Sequence, residues 1–166
     1  MKNKIIGVGK RLYETRFSFG ATAAIITNLS LIVGLRTGEH AKLSIIASML
    51  VIALADNISD SMGIHIYQES ECLDPREVWS STMSNFLSRL LVSLTFMFLV
   101  LFLPINVAAV ISIAWGLLLL SAMSYMIAKD RNMTPYKIII EHLAIAIAVI
   151  IMSNFAGQFI LSRVKF

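Results

Sequence analysis

The chain has 166 residues, 57% of them hydrophobic and 14% charged, where an ordinary soluble domain carries about 25% charged residues. A mean hydropathy of +0.79 and five apolar runs, each long enough to cross about 30 Å of hydrocarbon, exclude a soluble enzyme, a nucleic-acid-binding domain and a secreted disulfide scaffold. What remains is an all-α, polytopic membrane protein with about five transmembrane helices, whose net charge of +4 reads as topology.

The basic residues Lys2, Lys4, Lys10, Arg11 and Arg16 precede the first apolar run, residues 17–35. No small-x-small cleavage site follows Leu35, so this run is expected to stay as a helix rather than leave as a signal peptide. Gly20, Ala23, Ala24, Thr27 and Gly34 form a narrow small-residue face, the pattern of close helix contact in lipid; Asn28 beside them is a candidate pathway group.

The second run covers residues 43–66. It ends in a polar connection, Gln68 to Arg76, where Asp74-Pro75 predicts an N-cap and first helical residue. The third span is expected over 86–103 with an amphipathic lead-in from Val78, ended by Pro104. The fourth is expected over 107–128. Thr134-Pro135 then opens a fifth over 136–161, and nothing divides the chain into separate domains.

With the N-terminus in the cytoplasm, that side collects nine cations, the five N-terminal ones with Arg76, Lys129, Arg131 and Lys137. The other side has four: Arg36, Lys42, Arg163 and Lys165. The bias predicts an integral membrane protein with its N-terminus inside.

Ionisable side chains at membrane depth are costly and therefore mark function. They concentrate in Ala55-Asp56-Asn57-Ile58-Ser59-Asp60-Ser61-Met62-Gly63. On an ideal helix Asp56 and Asp60 lie about 40° apart, sharing a face with Met49, Ala53 and Gly63. Two carboxylates one turn apart can share a proton or a divalent cation, since either relieves their repulsion. The structural alternative is an ion pair between Asp60 and Arg89 of the third span, with Asp56 left without a cation at its own depth.

Outside the spans, Glu69, Glu71, Cys72 and Asp74, with Glu77, form an acidic segment suited either to capturing cations at the mouth of a pathway or simply to being solvated. Cys72 is the only cysteine, so no intrachain disulfide forms. Glu141 and His142 open the fifth span near an interface. His65 falls roughly opposite the Asp56/Asp60 face and gives no metal signal by itself.

Two stretches resemble the vacuolar iron transporter family. Gly20-Ala21-Thr22-Ala23-Ala24 through Gly34-Leu35 is similar to that family's first-helix pattern, and Ala53-Leu54-Ala55-Asp56 with Ser61-Met62-Gly63-x-x-x-Tyr67 to its second-helix pattern. The resemblance implies a homodimeric divalent-metal transporter, for Fe(II) or Mn(II) as cargo and often proton-coupled, moving metal out of the cytoplasm with no permanently bound cofactor. It implies that Asp56 and Met62 serve the pathway. This chain departs from the pattern in three ways: Ala23 stands where the family has a first-helix Asp, Met62 is about two residues nearer the acidic position, and the metal-binding insertion is reduced to residues 68–78. Asp60 restores two carboxylates per chain.

Two other functions fit the residues. A transport-inactive membrane interaction or regulatory protein of the same fold accounts for Ala23, and Asp56-x-x-x-Asp60 has the spacing of a Mg-dependent membrane transferase. Carboxylates facing a polar cavity would favour transport; both held by Arg89 would favour the inactive reading.

Overall fold

The computed structural model describes residues 20–163. Among them are five helices and no strand: α1, described over Gly20–Leu35, α2, Ala41–Ser70, α3, Pro75–Phe102, α4, Ile105–Asp130, and α5, Pro135–Arg163. Helices α2 to α5 are each long and apolar enough to cross a membrane. The basic residues Lys2, Lys4, Lys10, Arg11, Arg16 and Lys165, and the expected start of the first span at Phe17, lie outside the described residues.

The helix ends follow from local chemistry. Asp74 Oδ1 accepts the Arg76 N–H at 2.8 Å and Pro75 occupies the first helical position, as the sequence predicts. Helix α3 is continuous from Pro75, so the expected amphipathic lead-in and apolar span are one helix, and Arg89 sits near its middle rather than near its start. Leu103 and Pro104 separate α3 from α4.

Two four-residue connections share one construction. Cys72 adopts φ 54° and Asn132 φ 51°, the left-handed position that follows a helix C-terminus. The Cys72 N–H reaches Glu69 O and the Leu73 N–H reaches Gln68 O; Asn132 and Met133 repeat this with Lys129 and Ala128. This double bond pattern is the Schellman motif, and an X-Pro helix start follows each time. Cys72 is thus an exposed thiol in a position that favours glycine. Cys72→Gly is expected to raise stability by about 1 kcal/mol, read in a thermal melt in detergent; a loss would mean the thiol has a partner.

Short connections make α2–α3 and α4–α5 antiparallel pairs, and α1 lies between them. Its buried face is Gly20, Ala21, Ala24, Ile25, Asn28, Leu29, Ile32 and Val33, while Ala23 and Thr27 are only half-buried. The expected small-residue face is therefore displaced, although its two glycines do make close contacts. A Cβ on Gly20 would stand 2.6 Å from Asn85 Oδ1 and Ser88 Oγ of α3; one on Gly116 of α4 would meet Leu29 Cδ1 at 2.7 Å. Gly34 lies against the backbone of Ser153 and Gly157 on α5.

Ile25, Leu29, Ile32, Ile45, Met49, Phe96, Val100 and Leu120 form the centre of the core. Large apolar side chains also cover the outside, Leu54, Ile58, Phe98, Ile151 and Phe155 among them, which a water-facing surface of this extent would not tolerate.

Candidate functional site

The site grows from an irregularity in α2. Ala41, Ile45, Met49, Ala53, Asn57, Ser61 and His65 are all buried, a stripe recurring every fourth residue. An unbroken α-helix would rotate that stripe about 40° at each step. A π turn over Ile52–Asp56 takes back part of the rotation, and such turns recur at functional positions. Asp56 is the last residue of the turn and lies at the middle of α2.

Asp56 and Asp60 each precede a member of the buried stripe, so they stand about 100° from it, at its border. They do not share a face with Met49 and Ala53, which point inward, while Gly63, whose Cβ position has nothing within 4 Å, lies with them on the outer side. From the other side Arg89, with 5% of its side chain exposed, extends between them. Its Nη2 donates to Asp56 Oδ2 at 2.5 Å and its Nη1 to Asp60 Oδ2. The expectation that Asp56 lacks a cation at its depth is thereby corrected: a guanidinium fork carries two N–H faces, and one Arg serves both carboxylates.

With all three ionised, the triad carries one net negative charge. It is not enclosed, because the Asp56 and Asp60 side chains remain 51% and 44% exposed. Arg89 takes one oxygen of each carboxylate, and the rest of each group stands at the outer border of α2, among Leu54, Ile58 and other exposed apolar side chains.

Behind the triad, α2 and α3 are joined by a ladder of polar contacts. Gln68 Nε2 donates to Ser81 Oγ at 2.8 Å, His65 Nδ1 lies 2.9 Å from Thr82 Oγ1, Asn85 Nδ2 donates to Ser61 Oγ at 3.1 Å, and Asn57 Nδ2 to Phe86 O at 3.0 Å. One turn beyond Arg89, Ser93 Oγ accepts from Asn28 Nδ2 at 2.9 Å. The amide oxygens of Asn28, Asn57, Gln68 and Asn85 are buried without a hydrogen-bond partner, a row of acceptors along α3 on both sides of Arg89.

The other expected residues separate from this site. Asn57 is turned inward to α3, and Asn28 reaches Ser93 rather than the carboxylates. Met62 is exposed and about 200° round the helix from Asp60; the π turn ends before it and cannot bring it back. Glu71, Cys72 and Asp74 belong to the connection between α2 and α3, with Asp74 occupied as an N-cap, and Glu141 is exposed on α5. In the acidic segment Glu69 meets a candidate ligand, His65 Nε2 at 3.3 Å. Among the described residues no three His, Cys, Asp or Glu side chains gather as a metal site.

The ladder residues Ser81, Thr82, Asn85 and Ser93 went unread in the sequence. Their signal was present as polar residues at steps of three and four, through Thr82, Asn85, Arg89 and Ser93 and through Ser81, Ser84 and Ser88. Compared with protein-family models, with curated proteins and with solved structures, the chain matches none.

Proposed function

We propose that the protein is a cation-translocating membrane protein in which Asp56 and Asp60 exchange a cation against Arg89. The observation that carries this reading is the triad itself: two carboxylates at the middle of α2, half exposed, share a single buried guanidinium and so keep one uncompensated negative charge at membrane depth. Such a charge is costly in hydrocarbon unless a cation or proton visits it. The row of unpartnered amide oxygens along α3 supplies hard acceptors of the kind that hydrated or partly dehydrated cations use.

The sequence resemblance points to Fe(II) or Mn(II) as cargo, to a homodimer that covers the open side of the triad, and to export from the cytoplasm with the N-terminus inside. In this reading Arg89 is an internal counter-ion. It offsets one of the two carboxylate charges while the site is empty and must release one carboxylate before a divalent ion can take both. Protons can serve as the exchange partner, since each carboxylate that loses its metal can take one.

The closure of both carboxylates by Arg89 favours a second reading, a transport-inactive membrane interaction protein. There the triad fixes α2 on α3 and its open side binds a partner helix. Purified protein in liposomes separates the two. The transport reading expects Mn(II) or Fe(II) accumulation, with a metal-dependent proton flux in the opposite sense; vesicles indistinguishable from protein-free controls for both metals would leave the interaction reading.

A further inference from the structure

At the far end of the α2–α3 ladder from Asn28, a cavity of about 280 Å³ is lined by His65, Glu69, Leu73, Pro75, Val78 and Trp79. His65 is 6% exposed, and the Trp79 ring meets it edge-on at 4.6 Å between centroids. Thr82 Oγ1 donates its proton to Val78 O at 2.9 Å. The contact between Thr82 Oγ1 and His65 Nδ1 at 2.9 Å is then made by the ring N–H, with the threonine accepting. That assignment leaves Nε2 of the neutral ring as a lone pair.

The lone pair faces the Glu69 carboxylate at 3.3 Å. Two acceptors at that distance repel unless a positive centre lies between them. Metal–nitrogen and metal–oxygen bonds of about 2.0–2.2 Å at a tetrahedral angle place the two ligand atoms about 3.3–3.5 Å apart. A ligating histidine characteristically donates its other N–H to a fixed acceptor, which orients the ring; Thr82 provides this. Glu69 is 62% exposed, so the pair can be reached from outside, while Leu73, Pro75 and Trp79 wall the rest of the cavity.

We infer that His65 Nε2 and Glu69 form a divalent transition-metal site, with solvent completing the coordination, at the end of α2. Imidazole with carboxylate suits Zn(II), Fe(II) and Mn(II) rather than Mg(II) or Ca(II). The site binds metal whether or not the Asp56/Asp60 pair transports it. Where that pair does transport, the site lies on the same helix two to three turns away and serves as its loading point. The binding residues are then His65 and Glu69, not the Cys72 thiol.

Calorimetric titration of the detergent-solubilised full-length protein with Zn(II) tests the site. His65→Gln and Glu69→Gln are each expected to weaken binding by at least about tenfold, and Thr82→Val by a similar factor through loss of ring orientation. Cys72→Ser should leave this affinity unchanged. Glu69 is exposed, so its variant folds even if the His65 variant does not. Absence of Zn(II) binding in the wild type, with a proton alone bridging the pair, or equal affinity in wild type and Glu69→Gln, overturns the inference. The transport reading survives that outcome, because it rests on Asp56 and Asp60.

Discussion

Replacing Asp56 and Asp60 together by asparagine is expected to destabilise the protein by about 3–5 kcal/mol, the cost of stranding a buried charge. Arg89 would keep its position, since 5% of its side chain is exposed, but lose both counter-charges. Either substitution alone leaves a neutral Arg–Asp pair and should cost about 1 kcal/mol or less, because each carboxylate is already half in contact with its surroundings. The three melts form a cycle in which the double variant loses far more than the sum of the singles. Additive losses would mean that Arg89 does not serve both carboxylates.

Two helix spacings explain why the triad was only half legible. Asp56 and Asp60 stand out in an apolar run, and the pairing of Asp60 to Arg89 of the third span was readable, whereas that of Asp56 was not. The π turn was not, for Ile52-Ala53-Leu54-Ala55 contains no proline, glycine or polar residue to announce it. The turn decides which side of α2 faces α3, so the expected company of the carboxylates was wrong for Met49 and Ala53. Arg89 was placed too near the start of its helix because hydropathy falls through Ser80-Ser81-Thr82, where polarity marks contact with α2 rather than exit from a bilayer. The helix starts at Pro75 and Pro135 were legible because proline and its capping neighbour act locally.

The second large effect is expected at Gly157. A Cβ there would overlap the carbonyl oxygen of Gly34 and stand 2.9 Å from the Gly34 Cα. Both are backbone atoms that no rotamer change can remove, so α1 and α5 would have to separate. Gly157→Ala is expected to cost about 3 kcal/mol, the upper part of the usual range for overpacking, and to lower the melting temperature in detergent. The loss should fall on α1–α5 contacts, including Arg36 Nη2 to Asn154 Oδ1 at 3.3 Å, and leave the α2–α3 ladder intact. Unchanged stability would mean that α1 and α5 do not approach this closely. The glycine was visible in the sequence, but its partner, more than a hundred residues away, was not.

The contact matters to function through α1. That helix holds Asn28 against Ser93, one turn from Arg89, and sets Gly20 against Asn85 and Ser88. Displacing α1 would therefore open the inner side of the triad. The small residues Gly20 and Gly34, read from the sequence as a face for close helix contact, act here as the means by which α1 enters the middle of its own bundle. The outer border, where Asp56 and Asp60 stand, is left for lipid or a second copy.

The central claim is that the net negative charge of the Asp56–Arg89–Asp60 triad is what a transported cation meets. It is tested most directly by Mn(II) uptake into liposomes carrying equal amounts of wild type, Asp56→Asn and Asp60→Asn, each first shown by its melt to be folded. Uptake in the wild type, with at least about a tenfold loss in both folded single variants, is the expected result. Uptake undiminished in either variant would contradict the claim, since a neutral Arg–Asp pair would then translocate the ion as well as the charged triad does.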